Sequence, residues 1–260
     1  MAETVERVTP GTDSWKEYGE EHIQRYRFFK SFYPGKTVID AACGTGYGTA
    51  FIRSEGAESA TGIDISKEAI GFAKKHYQQP GLHYQELDCM RINEVGESAD
   101  VVVSFETIEH LNDPALFIKN VSETIKPGGT FICSTPNKDR LSGAGHFNPF
   151  HPSELPWNEF RNLFEKYFTV TGTFHQSETV QYMRYMEIKH LMHQDKARSD
   201  AFFFNRIEQR LRNIIGKKFQ PIPFFHSRLS DQHAGDLVIE SFEVPQKWHK
   251  TYIIAGTVKK

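Results

Sequence analysis

The stretch VIDAACGTGYGT, residues 38–49, joins an apolar run ending in the acid Asp40 to three glycines, Gly44, Gly46 and Gly48. Glycines spaced in this way after a strand let the backbone approach a ligand closely. A GxGxxG turn would favour the pyrophosphate of a dinucleotide, but the spacing here is GxGxG. A carboxylate at the end of the strand disfavours a pyrophosphate and suits a ligand that carries an ammonium or a sulfonium.

Further acids end the next two predicted strands. Asp64 follows the run ATGI, where an acid can accept hydrogen bonds from both hydroxyls of a ribose. Asp88 and Cys89 follow the third strand, within reach of an adenine edge. All these groups lie at the carboxyl ends of strands, where ligands bind in open α/β sheets. The pattern therefore predicts a nucleoside ligand with a cationic group.

The order of elements that must position these residues is that of an α/β protein. Strands alternate with helices from residue 36 to residue 136, which predicts right-handed crossovers and a parallel sheet covered on both faces. We expect a Rossmann-like, seven-stranded, mostly parallel sheet, preceded by a helical segment and interrupted by an insertion before the last strand. A capping box formed by Ser14 and Glu17 predicts the start of the first helix.

The chain is expected to form one domain, residues 1–260, with four parts. These are an N-terminal helical cover (1–35), a cofactor-binding core (36–175), an insertion that caps the acceptor (176–247) and the final strand (248–260). The insertion contains a basic amphipathic stretch, residues 199–218, which is compatible with an ordinary packed helix, with a phosphate-bearing or lipid-linked sugar, with peripheral membrane contact or with a dimer contact.

Composition limits the classes of partner and compartment. Lys and Arg number 31 against 33 Asp and Glu, whereas proteins that hold polyanions usually carry a basic excess, so no nucleic acid is expected. The three cysteines form no CxxC pair, which indicates a reducing compartment. No run approaches the ~18 apolar residues of a membrane span, and the N-terminus lacks a signal-peptide core. We expect a cytoplasmic monomer or homodimer.

The stretches VIDAACGTGYGT, GIDIS, LDCM, SFETIEHL and IKPGGTFICSTPN resemble, in order, the successive motifs of class I S-adenosylmethionine-dependent methyltransferases. The resemblance implies S-adenosylmethionine as cofactor and S-adenosylhomocysteine as product. Ala42 stands where the family more often has glycine, which is a mild change. The implied cofactor-binding residues are Asp40, Ala41, Gly44 and Gly46 at the methionine end, Asp64 with Ile65 after the second strand, Asp88 with Cys89 at the adenine, and Phe105 beside the methionine moiety.

The acceptor side is predicted from the segment FETIEH, which supplies Glu106, Glu109 and His110, and from HFNPFH, which supplies His146 and His151. Methyl transfer to a hydroxyl requires that the acceptor be aligned and its proton removed, and a histidine suits the second task. We predict His110, His151 and Glu109 as catalytic residues that converge on the acceptor. A purely structural role, in which Glu109 and His110 only fix the loop, is the alternative.

The combination ExxEH with a downstream histidine also resembles the metal site of small-RNA 2′-O-methyltransferases. In that interpretation Glu106, Glu109, His110 and His151 would hold a divalent cation. The loop equally resembles that of metal-free quinone O-methyltransferases, and the later segments resemble methyltransferases of bacterial polysaccharide and sugar modification. We therefore favour a metal-free O-methyltransferase of a sugar, glycan or other small metabolite. A metal-dependent 2′-O-methyltransferase of RNA 3′ ends and a non-catalytic cofactor-binding regulatory module are the alternatives.

Overall fold

The computed structural model describes residues 8–138, 150–178, 237–243 and 250–259. The predictions for His146 and for the basic stretch 199–218 fall outside these residues. Most of the predicted insertion does so too, so the proposed division of the chain into parts stays a prediction.

The described elements follow the expected alternation. The α-helices are α1 (Asp13–Phe28), α2 (Tyr47–Ser54), α3 (Lys67–His76), α4 (Pro114–Thr124) and α5 (Trp157–Glu165). Short 3₁₀ turns cover Lys30–Phe32, Cys89–Glu94 and Ile108–His110. The strands are β1 (Thr37–Ala41), β2 (Ser59–Asp64), β3 (Leu82–Glu86), β4 (Ala99–Ser104), β5 (Ile125–Pro136), β6 (Phe168–Glu178), β7 (Leu237–Ser241) and β8 (Thr251–Val258).

The strands of the described residues form one sheet in the order β3-β2-β1-β4-β5-β8-β6-β7. Strands β1 to β5 pair in parallel, whereas β8 runs antiparallel to both β5 and β6. The predicted Rossmann-like, mostly parallel sheet is confirmed, but it has eight strands rather than seven. The additional strand is β7, a five-residue run in the predicted insertion that is too short to stand out from its mixed surroundings.

The start of α1 differs from the prediction. Thr12, in an extended conformation, caps this helix by accepting a hydrogen bond from the Trp15 N–H at 3.3 Å, and Ser14 lies inside the first turn. The prediction of Ser14 as the N-cap was therefore wrong. Two hydroxyl residues stand two positions apart in this segment, and either type favours an N-cap. Ser66 and Asp113 are the N-caps of α3 and α4, and each side chain accepts from a backbone N–H of the first turn.

The sheet separates two apolar clusters. One lies beneath α1 and α2 and includes Phe29, Phe105 and Ile132, while the other includes Ile108 and Phe131 together with residues of α4 and α5. Successive side chains of β5 thus point to opposite faces, as the pleat of a strand requires. The parallel strands place their carboxyl ends at one edge, where the predicted site residues lie. None of the helices among the described residues is long and apolar enough to cross a membrane.

Candidate active site

The glycine-rich turn leaves open space at the carboxyl end of β1. Gly46 has a φ of +83°, and a Cβ there would lie 2.6 Å from the side chains of Ala73 and Tyr84, so the turn requires glycine at this position. Gly44 has a φ of +55°, but a Cβ there would meet nothing within 4 Å. The turn is therefore closed on the side of α3 and open on the side where a ligand would lie.

Asp40 is a buried acid beside this turn. Its carboxylate accepts hydrogen bonds from the hydroxyls of Thr49 at 2.7 Å and Tyr26 at 3.2 Å. Burial raises the pKa of Asp40 to about 7, although the two hydroxyl bonds oppose the rise. A cation placed next to Asp40 would favour its ionised form, which suits a ligand with an ammonium or sulfonium.

Asp64 is fixed at the end of β2 by backbone donors. Its Oδ2 accepts from the N–H of Gly44 at 2.9 Å, and its Oδ1 accepts from the N–H of Ser66 at 2.8 Å. The next residue, Ile65, is 69% exposed, which is unusual for a large apolar side chain. A flat apolar group such as a nucleobase would cover Ile65 while its ribose lay beside Asp64.

The residues after β3 lie next to Asp64. The N–H of Leu87 donates to the carbonyl of Asp64 at 3.0 Å, so the two strand ends are in contact. Asp88 caps the following turn by accepting from the Met90 N–H at 2.9 Å. Cys89 is buried, and burial raises the pKa of its thiol to about 12, so the thiol is neutral.

Two of the predicted residues line the junction between β1 and β4. Ala41 is buried, and its carbonyl accepts from the Ser104 hydroxyl at 3.2 Å. Phe105 is buried with its ring centroid 4.9 Å from that of Tyr26, in an edge-to-face contact. Both residues therefore shape the floor of the site through packing and backbone contacts.

A residue that sequence reasoning missed, Arg25 of α1, lies beside this floor. It is 1% exposed; its Nε donates to Gln176 Oε1 at 2.8 Å, and its Nη2 lies 3.7 Å from Glu106 Oε2. The buried Nη1 of Arg25 and the buried Oγ1 of Thr45 have no hydrogen-bond partner among the described residues. Buried polar atoms are rarely left unpaired, so a ligand with an anionic group would complete this part of the site.

The acceptor-side residues Glu109, His110 and His151 are brought together. One potential ligand atom from each lies within 4.8 Å of the others, and the two imidazole centroids are 4.7 Å apart. His110 Nδ1 lies 2.8 Å from the carbonyl of Phe150, and His151 Nδ1 lies 2.7 Å from Glu154 Oε1. Because a carbonyl and a carboxylate accept, each Nδ1 carries the proton, which leaves Nε2 as the basic nitrogen of both rings.

The two glutamates of the loop differ in environment. Glu109 is buried and accepts from the Thr135 hydroxyl at 3.1 Å; burial, and then the charge of Glu106, hold its pKa well above the ordinary value for a glutamate. Glu106 is not part of the group that surrounds His110, and its Oε1 accepts from the Ser134 hydroxyl at 2.7 Å instead. Of the four residues suggested as metal ligands, Glu109, His110 and His151 therefore lie together, whereas Glu106 lies apart from them.

A family model described as a methyltransferase domain matches residues 17–195. A probable S-adenosylmethionine-dependent methyltransferase of Mycolicibacterium smegmatis is 32% identical over 164 residues, which are 62% of this chain and 63% of that protein. A ubiquinone biosynthesis O-methyltransferase of Coxiella burnetii is 36% identical over 107 residues, 40% of this chain and 45% of that protein. The matches thus span less than two thirds of the length of these curated relatives.

Solved structures share the fold at low sequence identity. A SAM-dependent methyltransferase from Archaeoglobus fulgidus has a TM-score of 0.56 at 16% identity, covering 93% of this chain and 94% of that one. The [4+2]-cyclase SpnF has a TM-score of 0.56 at 14% identity, covering 94% of this chain and 82% of that one. At such identities the likeness shows the fold alone, and the reaction must be argued from the site.

Proposed function

Because the chain belongs to the S-adenosylmethionine-dependent methyltransferases, we propose that it transfers the methyl group of S-adenosylmethionine to a hydroxyl of a sugar, glycan or other small metabolite. The observation that carries the acceptor assignment is the pair of imidazoles, His110 and His151, each with a protonated Nδ1 and a basic Nε2. They follow β4 and β5, whose carboxyl ends open next to the glycine-rich turn.

The described residues fit the cofactor. Asp40 would receive its ammonium, and the unpaired Nη1 of Arg25 would receive its carboxylate, since each offers the opposite charge in a buried position. Asp64 would accept from the ribose hydroxyls, with Ile65, Asp88 and Cys89 around the adenine. When bound, the cofactor supplies an electrophilic methyl group on a sulfonium, and the thioether that leaves is neutral.

The protein's own contribution is then alignment and proton removal. His110 Nε2 would accept the proton of the acceptor hydroxyl, because its Nδ1 is held by the Phe150 carbonyl and its ring is oriented. The imidazolium formed would in turn favour the ionised form of Glu109, whose Oε1 lies 4.0 Å from that nitrogen, so the two charges would stabilise each other. His151, in edge-to-face contact with His110, would hold the acceptor or share the proton.

A second candidate has a specific observation in its favour. Glu109, His110 and His151 present one ligand atom each within 4.8 Å, and each histidine donates its other ring N–H to an oxygen acceptor, as metal-binding histidines do. A divalent cation at this group would lower the pKa of the acceptor hydroxyl. This arrangement would suit a metal-dependent 2′-O-methyltransferase of RNA ends.

The experiment begins with a metabolite and nucleotide-sugar extract, in which a cofactor-dependent gain of one methyl mass identifies the acceptor. With a metal-free base, turnover should survive EDTA and fall about 10²–10⁴-fold in His110→Ala. With a metal, EDTA should abolish turnover and Mn²⁺ or Mg²⁺ should restore it. His83→Ala, an exposed histidine on β3, serves as the matched control. If His110→Ala and His151→Ala both keep full kcat, neither arrangement is correct, and cofactor binding without any acceptor would support a regulatory module.

A further inference from the structure

The loop after β4 passes from one face of the sheet to the other at Glu106. Phe105 packs in the apolar cluster beneath α1, whereas Ile108 packs in the cluster of α4 and α5. Glu106, between them, has a φ of +52°, a left-handed conformation that is unfavourable for a residue with a Cβ. Strained residues persist only where surrounding contacts hold them, and they concentrate at functional sites.

Glu106 is held from three other elements. Its own N–H donates to Ser134 Oγ at 3.1 Å, and the same hydroxyl donates to its Oε1 at 2.7 Å, so backbone and side chain share one anchor on β5. The Thr251 hydroxyl of β8 donates to Oε2 at 3.4 Å, and Arg25 Nη2 of α1 lies 3.7 Å from the same oxygen. The carboxylate therefore has partners on α1, β5 and β8.

The anchor is continuous with the acceptor-side group. Ser134 and Thr135 are consecutive on β5 and point to opposite faces. Ser134 holds Glu106 on the face of α1, and the Thr135 hydroxyl donates to Glu109 Oε2 at 3.1 Å on the other face. Two adjacent hydroxyls thus fix both glutamates, and the residue directly after the second glutamate is His110.

From this geometry we infer that Glu106 is a positioning residue, whose attachment to Ser134 holds the loop so that Glu109 and His110 face His151. Its significance for turnover rests on the proposed function, but the positioning itself does not. The role has two separable parts. Glycine at position 106 would keep the left-handed turn and lose the anchor, whereas glutamine would keep an oxygen that accepts from Ser134 and lose only the charge.

The test measures which ring nitrogen of His110 carries the proton, and it needs no acceptor substrate. Long-range ¹H–¹⁵N spectra of the ¹⁵N-labelled full chain should show the Nδ1–H tautomer of His110 in the wild type and in Glu106→Gln. In Glu106→Gly and in Ser134→Ala the ring should shift towards the Nε2–H tautomer, because the bond to the Phe150 carbonyl is no longer enforced. Glu97→Ala is the matched control, since it removes a comparable bond, 2.7 Å from Thr61 Oγ1, away from the site.

Calorimetry with S-adenosylhomocysteine separates positioning from cofactor binding. Affinity should weaken by no more than about threefold in Ser134→Ala, which breaks the anchor but keeps the Glu106 carboxylate beside Arg25. With an identified acceptor, kcat should fall about 10²-fold with KM unchanged, the effect of a small misplacement. An unchanged His110 spectrum in Glu106→Gly and Ser134→Ala would overturn the inference, and so would a parallel loss of cofactor affinity in Ser134→Ala. Failure of hydroxyl methylation would refute the proposed function and leave these spectra interpretable.

Discussion

Binding of S-adenosylmethionine should tighten as the pH rises through the pKa of Asp40. In the unliganded protein burial raises that pKa to about 7, so a large part of the carboxyl groups is protonated near neutrality. Only the ionised form attracts the ammonium of the cofactor strongly. Binding to this form must therefore be accompanied by release of a proton from Asp40 at acidic pH.

The magnitude follows from the ionised fraction. With a pKa of about 7, about one eleventh of the carboxyls are ionised at pH 6 and about ten elevenths at pH 8, so the apparent affinity should rise about tenfold. The stability of the unliganded protein should decrease with rising pH, whereas the cofactor affinity increases. Because the ordinary pKa of an aspartate is 3.8 and that of Asp40 in the fold is about 7, the folded state binds more protons between these values, and the free energy of unfolding should fall as the pH rises, by at most about 4 kcal/mol.

The assay is calorimetry at pH 6, 7 and 8 on the wild type and on Asp40→Asn, with urea unfolding of both proteins over the same range and down to pH 4. Asparagine keeps an oxygen that accepts from Thr49 and Tyr26 but cannot ionise, so the pH dependence due to residue 40 should disappear. Because the amine of the cofactor titrates equally in both experiments, the difference between the two pH dependences of affinity is due to Asp40. Equal slopes in the two proteins would refute the reasoning, because the titrating group would then lie elsewhere.

Three substitutions, the first with a matched control, test the surroundings of the site. Gly48→Ala would place its Cβ 2.1 Å from the Tyr26 ring, so it should displace α1, lower the free energy of unfolding by more than about 1 kcal/mol and weaken cofactor binding. The control Gly71→Ala, whose Cβ would meet nothing within 4 Å, should raise the free energy of unfolding by about 0.5–1 kcal/mol. Equal effects of the two variants in urea unfolding would contradict this prediction. Ala42→Gly should stabilise by up to about 1 kcal/mol at unchanged cofactor affinity, because Ala42 has a φ of +60°; a loss of stability would show that this strain is not relieved by glycine. Asp64→Ala should weaken cofactor binding by roughly 1.5–3 kcal/mol in calorimetry, the range for a hydrogen bond to a charged group; unchanged affinity would remove it from the site.

Local patterns were sufficient to predict the sheet and to group the residues that we propose for the cofactor. Two successive strand–turn units carry Asp40, Gly44, Gly46 and Asp64. In each unit the end of the strand and the residues of the turn are only a few positions apart in the sequence. The structure places Asp64 in direct contact with the backbone of Gly44, at 2.9 Å. Proximity at the edge of a parallel sheet follows from topology alone, which is why these residues could be grouped without coordinates.

Contacts between distant segments could not be predicted in the same way. Arg25 finds its partner Gln176 at a separation of 151 residues, and nothing near it in the sequence distinguishes it from Arg27, the other arginine of α1. Glu106 likewise adopts a left-handed conformation, although the position holds neither glycine nor asparagine, the residue types that would have predicted it. The strand β7 and the start of α1 at Thr12 were missed for a local reason. In each segment several conformations or helix starts of similar free energy are compatible with the sequence.

Several unfavourable features of the described residues lie at the proposed cofactor site or in the adjoining loop after β4. Asp40 is a buried acid, Arg25 and Thr45 carry buried atoms without partners among the described residues, and Ala42 and Glu106 adopt left-handed conformations. Each of these lowers stability, and their collection in one place is typical of a site shaped for a ligand rather than for the stability of the unliganded fold. A ligand with an ammonium and a carboxylate would compensate Asp40 and pair Arg25 at once. Part of the binding free energy would then come from bonds that the unliganded protein is unable to make.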